Sequence, residues 1–450
     1  MDGDDLERSL GLYPTMMISM GAMIGSGIFV LPALGYKKAG PTVILAYVLA
    51  AVVVLPPALS KSEMATAMPQ SGGTYLYIDR ALGPLFGTIA GIGAWFSLVF
   101  KSSFALVGLG AYLLLFAPIS QGAIKLVALG LAVLIVVLNI SGTKLSGRIQ
   151  ALIVSLVLVG LVGYTLNAGL VGDPGRFAAF FTGDSTGVVV AAAFVFVSYA
   201  GVTKVASIAE EVSDPGRNLP RAMLGSLGLM TLIYIAVVSA IVALSDPETL
   251  VHGGPGGSAS LTPMADGAGV LFGGFGVVLI SVVAVVALTS MANAGVLSSS
   301  RFPLAMSRDS LLPPQLRQIG RRFRTPHNSI LLTGAVLCLL IAFVPVIELA
   351  KLASAFQILV FSMENVALVA FRRTDPEWYD PEFVAPGYPY VQLFGVVAGL
   401  GLLTQIGTVP ILGAVGIILG GLVVYLAYGR SRTDRTGALG TILARRYDAD

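Results

Sequence analysis

Cysteine, histidine and charge are the scarce things in this chain. Its 450 residues hold one cysteine, Cys338, which excludes an internal disulfide and any metal site built from several thiolates. The only histidines, His252 and His327, fall in different loops. No His-Glu-x-x-His, Walker sequence or pair of carboxylates occurs inside an apolar run, so a catalytic reading has nothing to stand on. Charged residues are only 11% of the chain, and the net charge of +3 is scattered over short loops rather than gathered in a patch, which argues against a nucleic-acid partner. What fills the chain is apolar: 56% hydrophobic residues and a mean hydropathy of +0.87. A water-soluble domain cannot hide that much apolar surface. The expected solvent for most of the chain is lipid.

The apolar residues resolve into about twelve runs of roughly 20 residues or more, the length that crosses a bilayer as a helix. They lie near 14–35, 41–66, 84–117, 123–140, 147–169, 186–209, 221–244, 271–305, 327–345, 348–371, 389–408 and 411–428. The reading is an all-α integral membrane protein: residues 1–13 before the first span, one transmembrane unit over 14–428, and a tail over 429–450. Residues 1–8 are acidic and lack the basic start of a cleavable signal peptide. Lysine and arginine gather on one side, at Arg80, Lys144, Arg148, Arg217, Arg221, the 317–324 loop, Arg372, Arg373 and the tail. The other side carries little beyond Lys37, Lys38 and Arg176, and segment 245–269 has none. The positive-inside rule then expects both termini in the cytoplasm of a multi-pass plasma-membrane protein.

Two of these spans look broken. Gly21, Gly25 and Gly27 fall within the first, and Tyr199-Ala200-Gly201 interrupts the sixth. Glycines in a membrane often do no more than let helices approach closely. Yet lipid tolerates unpaired backbone only where protein or a water-filled cavity covers it, and here the breaks occupy matching places. Spans one to five (14–169) and six to ten (186–371) repeat the same features in order. Because five is odd, the second set enters the membrane from the opposite face. That is an inverted repeat with spans eleven and twelve (389–428) outside it, and paired discontinuous helices in such repeats point to a central transport site. The amides of Ser26, Gly27 and Ile28, at the positive end of a half-helix, suit a carboxylate. Carbonyls near Phe196, Tyr199 and Ala200 suit an ammonium group. A zwitterion fits both.

Five motifs then resemble one family. Gly-Ala-Met-Ile-Gly-Ser-Gly-Ile-Phe at 21–29 is similar to the first-span signature of the amino acid–polyamine–organocation transporters. Pro69-Gln70-Ser71-Gly72-Gly73-Thr74-Tyr75 resembles their first cytoplasmic loop, and Glu210-Glu211 with Pro215, Arg217 and Pro220 their stretch after span six. Ser300-Arg301, Ala305-Met306-Ser307-Arg308-Asp309 and Leu312-Pro313 resemble the end of span eight, and Pro386-Gly387-Tyr388-Pro389 the approach to span eleven. In family order these cover nearly the whole chain, and the nearest branch looks like the cationic-amino-acid-transporter and ApcT-type group. The resemblance implies a LeuT-type five-plus-five fold and alternating access. It implies a substrate site over Ile24, Gly25, Ser26, Gly27 and Ile28, facing Phe196, Tyr199, Ala200, Gly201 and Val202. In it the carboxylate goes to Ser26 and Gly27, and the amino group to carbonyls around Ile24, Phe196 and Tyr199.

Coupling is where the chain departs from that branch. The branch places a proton-coupling lysine in span five; here Ser155, Leu156 and Val157 occupy that neighbourhood. Val202, Thr203 and Lys204 stand after Gly201 where the family often has Phe and an acidic residue, and 381–385 has lost the usual Arg-Pro-Phe-Arg. Thr289 and Ser290 resemble the hydroxyl pair that binds Na+ in LeuT-type symporters, with carbonyls of Gly21 and Ile24 completing an oxygen shell. Such hydroxyls also commonly bond their own helix. Lys204 is the alternative, as a proton carrier. No cofactor beyond a coupling Na+ or H+ is expected. Lys101, Lys204 and Glu364 lie inside spans, where charge is costly; Lys101 and Glu364 fit structural roles, since nothing in the sequence brings them to the breaks. Glu210 and Glu211 are candidates for a cytoplasmic gate through loop arginines, or form a solvated helix end. The expected function is secondary active transport of amino acids, neutral or apolar ones before cationic ones, by Na+ or H+ symport. Exchange, polyamine transport and non-transporting amino-acid sensing are the alternatives. Oligomeric state leaves no trace in the sequence.

Overall fold

The computed structural model describes residues 8, 10–70, 73–116, 121–142, 147–180, 185–320, 322–433 and 435–440. Ser71, Gly72, Lys144, Arg321, the Arg148 side chain and the tail beyond residue 440, all used in the sequence reading, lie outside these. Among the described residues there is no strand, only an isolated bridge between Leu10 and Val212. The helices in order are α1 (Leu12–Met23), α2 (Ser26–Phe29), α3 (Leu31–Ala39), α4 (Val43–Ala67), α5 (Gly73–Leu82), α6 (Pro84–Leu114), α7 (Gln121–Ile140), α8 (Gly147–Val171) and α9 (Ser185–Val195). A 3-10 helix, Phe196–Glu211, follows, then α10 (Pro215–Leu244), α11 (Pro247–His252), α12 (Pro263–Ser299), α13 (Arg301–Arg308), α14 (His327–Phe343), α15 (Val346–Thr374), α16 (Tyr390–Gln405) and α17 (Thr408–Val424). Among the described residues, nine helical stretches are long and apolar enough to cross a membrane; α14 and α16 are apolar but shorter. The protein is an all-α, multi-pass membrane protein.

Its outer helices show which solvent they were built for. On α8, Ala151, Val154, Val157, Leu161, Tyr164 and Ala168 are buried, while Leu152, Leu156, Val159, Leu166 and Leu170 are exposed. Both sets recur every three or four residues, so each marks one face of the helix. A soluble helix would carry polar groups on the outward face; here both faces are apolar, as a lipid contact requires. α6 and α15 run through the middle instead, buried along most of their length and packed on one another. Gly83, at φ 94°, turns the chain out of α5, and Pro84 starts α6 with its fixed φ where no N–H is needed.

The two anticipated breaks differ in kind. The first is a true interruption: α1 ends at Met23, Ile24 (φ −70°, ψ 115°) and Gly25 are extended, and Val30 (φ −128°, ψ −46°) parts α2 from α3. A side chain at Gly25 would collide with Met291 of α12. The second is not an unwound turn at Tyr199-Ala200-Gly201. From Phe196 the helix tightens into sixteen residues of 3-10 winding, bent only at Ile208 (φ −118°, ψ 20°), far longer than such winding usually persists. A Cβ on Gly201 would stand 2.6 Å from the Ala22 carbonyl oxygen and 2.7 Å from the Met23 nitrogen, so here the segment lies directly on the backbone of α1.

Candidate functional site

A helix that ends inside protein leaves its last carbonyls without intrahelical donors, so the break can be read by asking what satisfies them. The Ile24 amide donates to the Met20 carbonyl at 2.7 Å. The Lys101 ammonium donates to Ala22 at 3.1 Å, and the Tyr234 hydroxyl to Met23 at 2.8 Å. Beyond the break the Tyr47 hydroxyl donates to Gly27 at 2.7 Å and the Tyr112 hydroxyl to Phe29 at 2.8 Å. On the 3-10 segment, Tyr234 also reaches the Ser198 carbonyl at 3.2 Å, and Ser19 donates to Val202 at 3.3 Å. Side chains from α1, α4, α6 and α10 therefore hold both segments by their backbone. Gly27 has no room for a side chain, since a Cβ would sit 2.7 Å from Ser198 Cβ and 2.9 Å from the Tyr234 hydroxyl.

Every residue expected in the substrate site is buried, and the fold brings the two sets together: Ile24 to Ile28 against Phe196, Tyr199, Ala200, Gly201 and Val202. Gly21 is buried in the last turns of α1. Thr289 and Ser290 are half-buried on α12, and their neighbour Met291 meets the break, its sulfur 3.9 Å from the Ser26 hydroxyl. The sequence reading had not singled it out.

A cavity of about 380 Å³ approaches the break from one end. Ala200, Thr203 and Lys204 line it together with Ala94, Leu98, Leu297 and Val360. Glu210 and Glu211 share its wall with Arg301, and Arg308 and Arg324 lie exposed at its mouth. None of residues 24–28 lines it, nor do Phe196 and Tyr199; it stops at Ala200. Lys204 donates to the Ala294 carbonyl of α12 at 2.8 Å.

Two buried charges sit where the sequence did not place them. Glu364 pairs with Lys61 of α4 at 2.9 Å, both side chains at most 3% exposed, and accepts from the Thr74 hydroxyl at 2.6 Å. Lys61 and Thr74 line the cavity, and Glu364 binds both of them without lining it. Lys61 was missed because it stands near the end of a span, where a lysine reads as snorkelling to the interface. Lys101, read as structural for want of any link to the breaks, donates directly to the first of them. Only the fold reveals that link, since 79 residues separate it from Ala22.

Comparison with known proteins agrees with this architecture. A family model described as "Amino acid permease" matches residues 10–437. The branched-chain amino acid permease BcaP of Bacillus subtilis is 30% identical over 95% of this chain and 94% of its own. The methylthioribose transporter of the same organism is 27% identical over 95% of each chain. Its serine/threonine exchanger SteT is 26% identical over 88% of this chain and 90% of its own. With a model match over nearly its whole length, the chain belongs to the amino acid permease family of the amino acid–polyamine–organocation superfamily.

Proposed function

We propose that this protein carries an amino acid across the plasma membrane by alternating access. The amides of Ser26 and Gly27 hold the carboxylate, and the carbonyls of Phe196, Tyr199 and Ala200 hold the ammonium; the Ile28 amide, expected beside them, donates instead to the Gly25 carbonyl at 3.0 Å. The observation that carries the reading is the meeting of two irregular segments, through Gly201 on Ala22 and Met23, at the inner end of a cavity. The cavity is the approach; the packed break beyond Ala200 is the site it leads to. In this reading the chain is a five-plus-five inverted repeat with two additional spans. The arginine-bearing mouth faces the cytoplasm with both termini, which is the side the positive-inside rule gives it. Ala94, Leu98, Leu297 and Val360 give the cavity apolar surface that suits a neutral, apolar side chain, in keeping with the branched-chain permease among the relatives.

Cation symport is the expected drive. Na+ would sit among the Gly21 and Ile24 carbonyls and the Thr289 and Ser290 hydroxyls, or a proton would travel on Lys204, which borders both the cavity and α12. Exchange is the second reading, favoured by the similarity to a serine/threonine exchanger. Purified protein in liposomes separates them. Symport gives uptake driven by a Na+ or pH gradient into empty vesicles, whereas exchange needs vesicles preloaded with amino acid. Gly27→Val and Gly201→Val should each abolish uptake in protein that still purifies as a folded species. Uptake at the wild-type rate by either variant rejects the site, and no uptake of any amino acid by wild type favours a sensor or another substrate. In a Cys338→Ser background, Ser258→Cys should label only from outside the cell; labelling only from within reverses the orientation.

A further inference from the structure

Lys101 is a buried charge without a counter-charge among the described residues. It lies midway along α6, its residue is 5% exposed, and no carboxylate stands within 4.0 Å of its ammonium among the described residues. Its ammonium donates to one neutral oxygen, the Ala22 carbonyl at 3.1 Å. Glu364, another buried charge of the spans, was given Lys61 and Thr74; Lys101 was given a helix end. That end has a charge of its own. The last carbonyls of α1 carry the negative pole of the half-helix, and Ala22 is next to the residue where the helix stops. The same Ala22 backbone touches Gly201 of the 3-10 segment. One ammonium therefore stands where α1, α6 and the 3-10 segment meet.

A neutral donor would satisfy the Ala22 carbonyl at far lower cost, as Tyr234 does for Met23 one residue on. Intramembrane charge kept without a counter-charge marks function by default. The geometry points to Lys101 as a positioning residue of the transport cycle: a cation fixed to α6 that holds the negative end of α1 in place for the substrate at the break. It ties the packing of α6 to the state of the break by an attraction that is long-ranged and can reform after each movement, where a packed side chain has to fit anew. The inference rests on the proposed transport function and adds to it a charge requirement at a residue outside the two broken segments.

The test is a pair of variants in proteoliposomes, read for amino-acid uptake and for thermal unfolding. Lys101→Met keeps length and removes both donor and charge; Lys101→Gln keeps a donor and removes charge. Replacing a buried ion by an apolar group of similar volume is often neutral or stabilising, so the Met variant should unfold no earlier than wild type. Both variants should lose uptake by about tenfold or more. Uptake near wild type in both overturns the inference. Retention by the Gln variant alone overturns it too, because a neutral donor then suffices. A lowered unfolding temperature accompanying the loss makes Lys101 a structural cap and overturns it as well. Wild-type protein without uptake would instead fail the transport reading itself, and the control lane distinguishes the two.

Discussion

Tyr234 shows how much of this site is held by single atoms. Its hydroxyl reaches the Met23 carbonyl at 2.8 Å and the Ser198 carbonyl at 3.2 Å, one on each irregular segment. Its ring lies 5.1 Å from Tyr47 and 5.0 Å from Tyr199, which bind the Gly27 and Tyr47 carbonyls in turn. Tyr234→Phe keeps the ring packing and removes the hydroxyl that reaches both breaks. Losing the bond should destabilise the protein by about 1 kcal/mol, the small size reflecting how readily freed groups find other partners in a membrane. Uptake should fall by more than that stability change accounts for, because the breaks are no longer tied to one another. A Phe variant that unfolds and transports like wild type would show that the bridge contributes nothing. No motif or periodicity marks this tyrosine. It sits in an unbroken apolar run, 211 residues from Met23, and only the fold brings it to the break.

Helices were the most legible level, and for a physical reason: a bilayer demands long apolar runs, and a run of that length is visible without knowing its neighbours. Gly25 was legible too, since glycine inside such a run needs an explanation, and the structure supplies it in Met291. What the sequence could not show depends on contact between distant segments. Gly201 of the 3-10 segment Phe196–Glu211 seats on the backbone of α1, a contact that local propensity cannot show, so the sequence alone reads a simple interruption there. α5 was taken for loop because at ten residues it is too short to span and carries Asp79 and Arg80. Lys61 and Glu364, 303 residues apart, look like two separate liabilities until they meet. The resemblance of the 21–29 motif supplied the site residues, but the cavity's end at Ala200 and the Lys101 contact were open to neither motif nor periodicity.

At the scale of the whole molecule, the described part of the C-terminal tail returns to the helices that border the cavity. Arg435 lies 2.9 Å from the Asp309 carboxylate beyond α13 and 3.6 Å from the Asp79 carboxylate of α5, and it donates to the Asp309 carbonyl at 3.2 Å. Tyr75 of α5 donates to the other Asp309 oxygen at 2.7 Å. Two residues on, a Cβ on Gly437 would stand 2.9 Å from the Ala81 carbonyl oxygen, and Ala438 is buried. The tail thus joins α5, which supplies Gly73 and Thr74 to the cavity, to α13, which supplies Arg301 and Arg308. Burial pushes the Asp79 carboxyl up from its ordinary range; Arg435 pulls it down, Asp309 raises it further and Arg80 lowers it. A carboxyl raised in the folded state contributes stability that is present at low pH and lost as the pH rises through its folded value. Arg435→Ala removes the guanidinium between two carboxylates, so Asp79 should rise further and the two charges should repel at neutral pH. The variant should be less stable than wild type by about 1 kcal/mol, discounted for the partial exposure of Arg435 and Asp309. From neutral toward acid pH that deficit should shrink, as Asp79, its carboxyl raised by burial, takes up its proton. Thermal unfolding of both proteins across that range measures it. A deficit unchanged with pH would mean that the tail is held by the close seating of Gly437 and Ala438, with the charge cluster contributing nothing.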